Sequence, residues 1–366
     1  LAAILVMTAA YLGGVAGVAF HRDESTRLFT SGDAELFLRQ PSAVFWRAEN
    51  QGDLRQGYRE LDSPLPNLLI AISRWIAGEP PLANDWDWSK TWRENEQAGA
   101  LPSESQLLAG RAASAVFYPF TLLFFFLAVR QVANRFTAWT AILLFASNAL
   151  VLLHTRRSMA EGALLFTTAL TLWSLVSIKN ERWLISLPAA LAFCAKQTLA
   201  PLLPVGLAAA LWTTRRQPSE PARRLARNAL LFSAAALGVI VLLHPFLWGQ
   251  PVKAIRAAVG ARQALAAAQT ADRPEQALNT PARRLVGMVS LLYLTPPMVA
   301  EAGNYAEETR FAVQAYLATP LHTLFRSVPA GAALLVLSLF GFISAVLRAG
   351  KDDRARRGLT LFLSIT

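Results

Sequence analysis

The chain has 366 residues, 54% of them hydrophobic and only 16% charged, with a mean hydropathy of +0.34. Soluble domains carry about 25% charged residues, so an ordinary soluble protein is excluded and a polytopic membrane protein is expected. The formal net charge of +11 raises nucleic acid as a partner, but its distribution along the chain, described below, excludes one.

The first apolar run, residues 1–20, has the length of a membrane span. It lacks a basic lead and a small-residue cleavage site and is followed by charge, which argues against a signal peptide. The chain opens inside this run and stops inside another, 359–366, and so reads as a segment cut at both ends. Further spans are expected at 112–129, 137–154, 160–178, 228–247 and 328–347. The apolar stretch 183–213 is broken by Lys196-Gln197 and by Pro188, Pro201 and Pro204. It reads as two short helices meeting at the lysine, with a single kinked helix as the alternative.

Short loops facing the cytoplasm are rich in Lys and Arg. Fourteen such residues fall on one side: Arg130, Arg135, Lys179, Arg182, five in 215–227 and five in 348–357. The loops alternate correctly only if 183–213 crosses twice. The other side then carries two long loops, 21–110 and 249–325, the first with 14 acidic against 9 basic residues. The basic balance is therefore topological, since a nucleic-acid face would not be scattered over short loops. Amphipathic 66–77 and apolar 287–300, interrupted by Pro296-Pro297, read as helices lying in the membrane interface. Trp86, Trp88 and Trp92 read first as interfacial anchors and second as substrate contacts. The expected fold is all-α: one domain over 1–366, a polytopic helix bundle whose two external loops carry interfacial helices.

Ionisable groups beside hydrocarbon are costly unless paired or used. Asp23-Glu24 break the first apolar run. Arg156 and Arg157 follow the third span and Lys196 sits at the hairpin tip, on the side where cations are disfavoured. A lipid-linked phosphate would hold them there, and snorkelling to headgroups is the plain alternative. Glu161 lies four residues after Arg157, a spacing that equally makes a structural ion pair. Asp62 and Ser63 read first as caps for the helix that follows, and His244 ends a span before an aromatic belt residue. Cys194 is alone, so neither an internal disulfide nor a cysteine metal cluster forms. The four His are dispersed and no HExxH is present, so no metal or other cofactor is assigned, although acidic residues gathered in three dimensions leave room for a divalent ion.

In this order, RDES (22–25), LDSPLPNLLIAI (61–72), SMAEGALLF (158–166), AKQTLAPLLPVGL (195–207) and HPFLW (244–248) resemble the C-type glycosyltransferase fold. The likeness is to the superfamily of protein O-mannosyltransferases and lipid A aminoarabinose transferases, in pattern rather than strict identity. Asp62-Ser63 replace that family's usual His-Pro. The resemblance implies an inverting enzyme of the bacterial inner membrane, active on the external face, that takes sugar from a polyprenyl-phosphate donor to a protein, lipid or glycan acceptor. It implies Asp23 as base with Glu24 in support, Glu161 as a second acidic group, Arg156, Arg157 and Lys196 as donor-phosphate ligands, and Asp62 and His244 at the acceptor. A lipid-linked glycan transporter and a non-catalytic membrane subunit are the competing classes.

Overall fold

In a computed structural model, residues 2–178, 180–214, 221–272, 274, 277–295, 299, 305–323 and 327–349 are described. Among them the chain is all-helical, with no strand. Two helices are long and apolar enough to cross a membrane, Glu104–Val132 and Ala222–Leu243, or three if one bent pair counts as a span. Lys179, Arg215, Arg216, Lys351, Arg354, Arg356, Arg357, Pro296-Pro297 and the run from 359 lie outside the described residues.

The first apolar run is not one helix. α1 (Ala2–Leu12) stops at Gly13-Gly14, and residues 13–20 are irregular. Carbonyls freed where a helix ends need other donors, and three arginines supply them. The Arg156 Nε donates to the Tyr11 carbonyl at 3.0 Å, the Arg111 Nη1 to that of Val15 at 3.0 Å, and the Arg157 Nη2 to that of Ala19 at 3.4 Å. A Cβ at Gly14 would collide with the buried Arg156 guanidinium, so any larger residue there would displace it.

The polar region that follows folds into helices α2 (Arg22–Thr30), α3 (Asp33–Arg39), α4 (Leu54–Leu61), α5 (Pro64–Ala77) and α6 (Trp92–Gln97). The amphipathic reading of 66–77 holds as a helix: α5 buries Ile70, Ala71 and Arg74 and leaves Trp75 and Ile76 exposed. The capping expectation does not hold. Ser63 precedes α5 without a side-chain cap, and Asp62 turns away to Arg27. Trp86 is not a lipid anchor. It is buried in a ring cluster with Phe20, Trp92 and Tyr305, and Trp88 alone of the three is well exposed.

α7 (Glu104–Ala115) and α8 (Tyr118–Val132) run on as one 29-residue apolar stretch, begun by a Ser103/Gln106 capping box. The loop expected to end at 110 therefore ends near 103. The expected span 137–154 is bent by 60° between α9 (Arg135–Ala146) and α10 (Ala149–Thr155). Asn148 causes the break, because its side chain accepts from the Leu150 and Val151 amides in place of helix carbonyls.

α11 (Glu161–Ser177) packs closely along α7 and α8. α12 (Ser186–Ala195) and α13 (Leu202–Thr214) meet at Lys196, and Ile185 and Ala210 share one core, so the two helices are antiparallel as expected. α14 (Pro221–Leu243) covers them, and α15 (Pro251–Asp272) lies against α4. α16 (Pro281–Val289) leads into a π-turn at Ser290–Leu294 with Leu285, Val286, Leu291 and Leu292 exposed; α17 (Arg310–Ala318), α18 (Pro320–Thr323) and α19 (Val328–Ala349) follow.

The α7–α11 contact depends on Gly162. A Cβ there would meet the Ser114 Cα at 2.7 Å and its carbonyl carbon at 2.8 Å, both backbone atoms that cannot yield. Gly162→Ala is expected to cost about 1–3 kcal/mol by overpacking, seen as a lower thermal midpoint in detergent. Gly238→Ala on α14 is the control. Nothing lies within 4 Å of its added methyl, so helix propensity alone acts and stability should rise.

Candidate functional site

A cleft of about 360 Å³ opens between the end of α4, the start of α11, the Lys196 turn and α15. Its volume is that of a small-molecule site. Three cations reach its wall: Arg27 from α2, Lys196 from the hairpin tip and Arg262 from α15. Arg27 forks onto Asp62, with Nη1 to Oδ2 and Nη2 to Oδ1 both at 3.1 Å, and also donates to the Asn67 Oδ1 at 3.1 Å. Lys196 pairs with the Glu161 Oε1 at 2.8 Å. Arg262 donates to the Leu61 carbonyl and to the Gln197 Oε1, and among the described residues it has no carboxylate partner.

Local sequence explains the placement. The extended backbone of Lys196 ends α12 and turns its side chain toward the first residue of α11. Pro64 at the first position of α5 fixes the turn that presents Asp62. Glu161 is half-buried, and its Oε2 accepts no hydrogen bond among the described residues. It also interacts electrostatically with His154 and Arg27.

Asp23 stands four residues before Arg27 on α2, so the two share a face one turn apart. Its side chain is 46% exposed and lies 3.8 Å from the His21 Nδ1. Glu24 is its opposite, wholly buried with both oxygens doubly engaged. Oε1 accepts from the Arg111 Nε at 2.9 Å and the Ser158 amide at 2.8 Å; Oε2 accepts from the Arg111 Nη2 at 2.9 Å and the His21 amide at 3.0 Å. Burial pushes its pKa up, but the Arg111 charge and hydrogen bonds, the Arg157 charge and the Ser158 amide outweigh that and hold it below the usual carboxylate value.

The residues expected to act together do not form one group. Asp62 and Lys196 line the cleft and Glu161 is bonded to Lys196, while Asp23 stands one turn from Arg27 on the cleft wall. Arg156 and Arg157 point inward, fully buried on backbone carbonyls, with Arg156 also 2.6 Å from the His322 Nε2 and Arg157 on the Val299 carbonyl. The Arg157–Glu161 ion pair does not form, because Lys196 takes Glu161 instead. His244 does not line the cleft; it follows α14, with Nδ1 2.8 Å from the Ile240 carbonyl and 3.8 Å from the Cys194 sulfur. No group of three metal-ligating side chains occurs among the described residues.

Sequence reasoning passed over Arg27, Arg262 and Arg111. Arg27 was legible as the residue one turn after Asp23. Arg262, in an alanine-rich helix about 200 residues away, gave no local signal.

Elsewhere on α2, the Thr26 hydroxyl donates to Asp85 at 2.7 Å, and Asp85 also accepts from the Tyr58 hydroxyl. Burial, followed by the Asp85 hydrogen bond and charge, raises the Tyr58 pKa, so the phenol keeps its proton and donates. Compared with protein-family models and with curated proteins, the chain gives no match.

Proposed function

We propose that this chain is the body of a multi-pass membrane glycosyltransferase of the bacterial inner membrane. It moves a sugar from a polyprenyl-phosphate donor to an acceptor on the external face, with inversion. The observation that carries this reading is the cleft, where three cations surround one small opening with carboxylates beside them, and where Arg27 stands one helical turn from the accessible Asp23.

In this reading Lys196, Arg262 and Arg27 hold the donor phosphate, by point charge and by forked hydrogen bonds. Asp23 takes the acceptor proton as the acceptor's oxygen or nitrogen bonds to the anomeric carbon. The bond from that carbon to the phosphate oxygen breaks, and its electron pair leaves on the polyprenyl phosphate. That anion needs cations rather than a proton donor, which accords with a basic cleft. The short apolar helices α1, α11, α12 and α13 and the apolar part of α19 join the two or three span-length ones in the bundle. The exposed apolar faces of α5 and α16 lie in the interface.

A second reading rests on one observation, the helix breaks at 147–148 and at Lys196, since broken helices at a binding site are a mark of transporters. One experiment separates the two. Full-length protein in liposomes is given polyprenyl-phosphate donors carrying radiolabelled mannose, glucose, galactose or aminoarabinose, and sugar release and lipid movement are measured. Release of sugar from one donor is expected. Lipid movement across the bilayer without cleavage gives the transporter reading instead.

Arg262 provides a graded check, because its removal strands no carboxylate. Arg262→Ala is expected to raise the donor KM about tenfold, the value of one charge-assisted hydrogen bond, with the fold unchanged. An unchanged KM removes Arg262 from the donor site.

A further inference from the structure

Glu24 and Glu161 differ in what their surroundings allow. Glu161 keeps an oxygen without a hydrogen bond, whereas all four contacts of Glu24 are already made by the protein. A wholly buried carboxylate with both oxygens doubly bonded has no free face for substrate and no room to take a proton. Its partners come from three separate parts of the chain. The His21 amide belongs to the cap of α2, Arg111 to α7, and the Ser158 amide to the turn that leads into α11.

Two of those segments carry groups of the proposed site, Asp23 and Arg27 on α2 and, at the start of α11, Glu161, which holds Lys196. Asp23 is the immediate neighbour of Glu24, and Glu161 is three residues beyond Ser158. Arg111 extends the tie, since its Nη1 also reaches the Val15 and Ala16 carbonyls at 3.0 and 3.4 Å. The Ser114 hydroxyl, one turn along α7, donates to the Met159 carbonyl at 2.7 Å and so fixes the same turn. Gly110, one residue before Arg111, is held against the Ser158 side chain so closely that a Cβ would collide with it.

We infer that Glu24 and Arg111 form a positioning pair that sets the placement of Asp23 relative to Glu161, and that Glu24 is not itself a catalytic group. This rests on the transferase reading above. A bidentate guanidinium–carboxylate pair fixes orientation as well as separation, and displacement of a reacting group by about 1 Å can cost about 100-fold in rate. The pair is expected to act mainly on turnover, because the base must meet the acceptor within a fraction of an ångström, whereas long flexible cations follow a phosphate through small shifts and Arg262 lies on α15, outside the tied segments.

The test is a double-mutant cycle on full-length protein in liposomes with the cleaved donor. Arg111→Lys keeps the charge and loses the fork, and Asp23→Glu keeps the base and moves it. Arg111→Lys is expected to lower kcat about 10- to 100-fold with the donor KM within about twofold of wild type. Combined with Asp23→Glu it should add little, since both changes displace the same carboxylate. If Arg111→Lys lowers activity only in proportion to the folded fraction, or if the two factors multiply, the pair is structural and the inference fails. Where Arg111→Lys does not accumulate, Glu24→Gln, of equal size and without the charge, carries the same comparison. Failure of wild type to release sugar from every donor sinks the transferase reading instead, so the two failures are told apart.

Discussion

Asp23→Asn is expected to reduce sugar transfer by about 10²–10⁴-fold, the usual worth of a general base, while donor binding stays within about twofold of wild type. Asn keeps the shape of Asp and cannot accept the proton. The side chain is 46% exposed in the first turn of α2, so little packing is lost. A first-turn carboxylate contributes only about 0.3–1 kcal/mol through the helix dipole, too little to unfold the protein. Rate and donor affinity are measured on the same liposomes. Transfer that survives the substitution removes Asp23 as the base, and equal losses in rate and affinity make it a binding group.

Arg111→Met is expected to be the most destabilising single change, at about 3–5 kcal/mol, because removing one partner of a buried ion pair leaves the other charge uncompensated. Glu24 is 0% exposed and takes two of its four hydrogen bonds from Arg111. The pH dependence carries a definite sign. In the wild type Glu24 has a depressed pKa, so the pair's contribution is fully present above the unfolded carboxylate value, about 4.3. It is lost as pH falls through the lower folded value. In Arg111→Met burial, the largest influence on Glu24, is opposed only by the weaker Arg157 charge and Ser158 amide, so the Glu24 pKa rises, acid neutralises the stranded charge and the variant gains relative stability. The gap between the two thermal midpoints should therefore narrow from pH 7 toward pH 4. A gap that is constant with pH means that Glu24 is not the group at stake.

Local sequence conceals the difference between the two carboxylates. Asp23 and Glu24 are adjacent and chemically alike, and the sequence marks them as one acidic pair. The helical turn sends one side chain outward and the other into the core, where Arg111 meets it from 87 residues away. Arg156 and Arg157 show the same limit. They read as cations held by an anion, yet Arg156 is taken by carbonyls at the end of α1 and Arg157 by those of Ala19 and Val299. The break at Gly13-Gly14 was present in the sequence, but apolar length outweighed two glycines in reading 1–20 as a span.

The all-α class and the meeting of two helices at Lys196 were determined by the sequence alone. Apolar run length, proline placement and a lysine inside an apolar stretch are local properties, and backbone hydrogen bonding responds to them locally. The placement of Lys196, Arg262 and Arg27 around one cleft, with Glu161 drawn to Lys196 rather than to Arg157, was decided only by tertiary structure. An ion pair forms with whichever opposite charge packing brings within about 4 Å, and that distance is set by helices far apart in the chain.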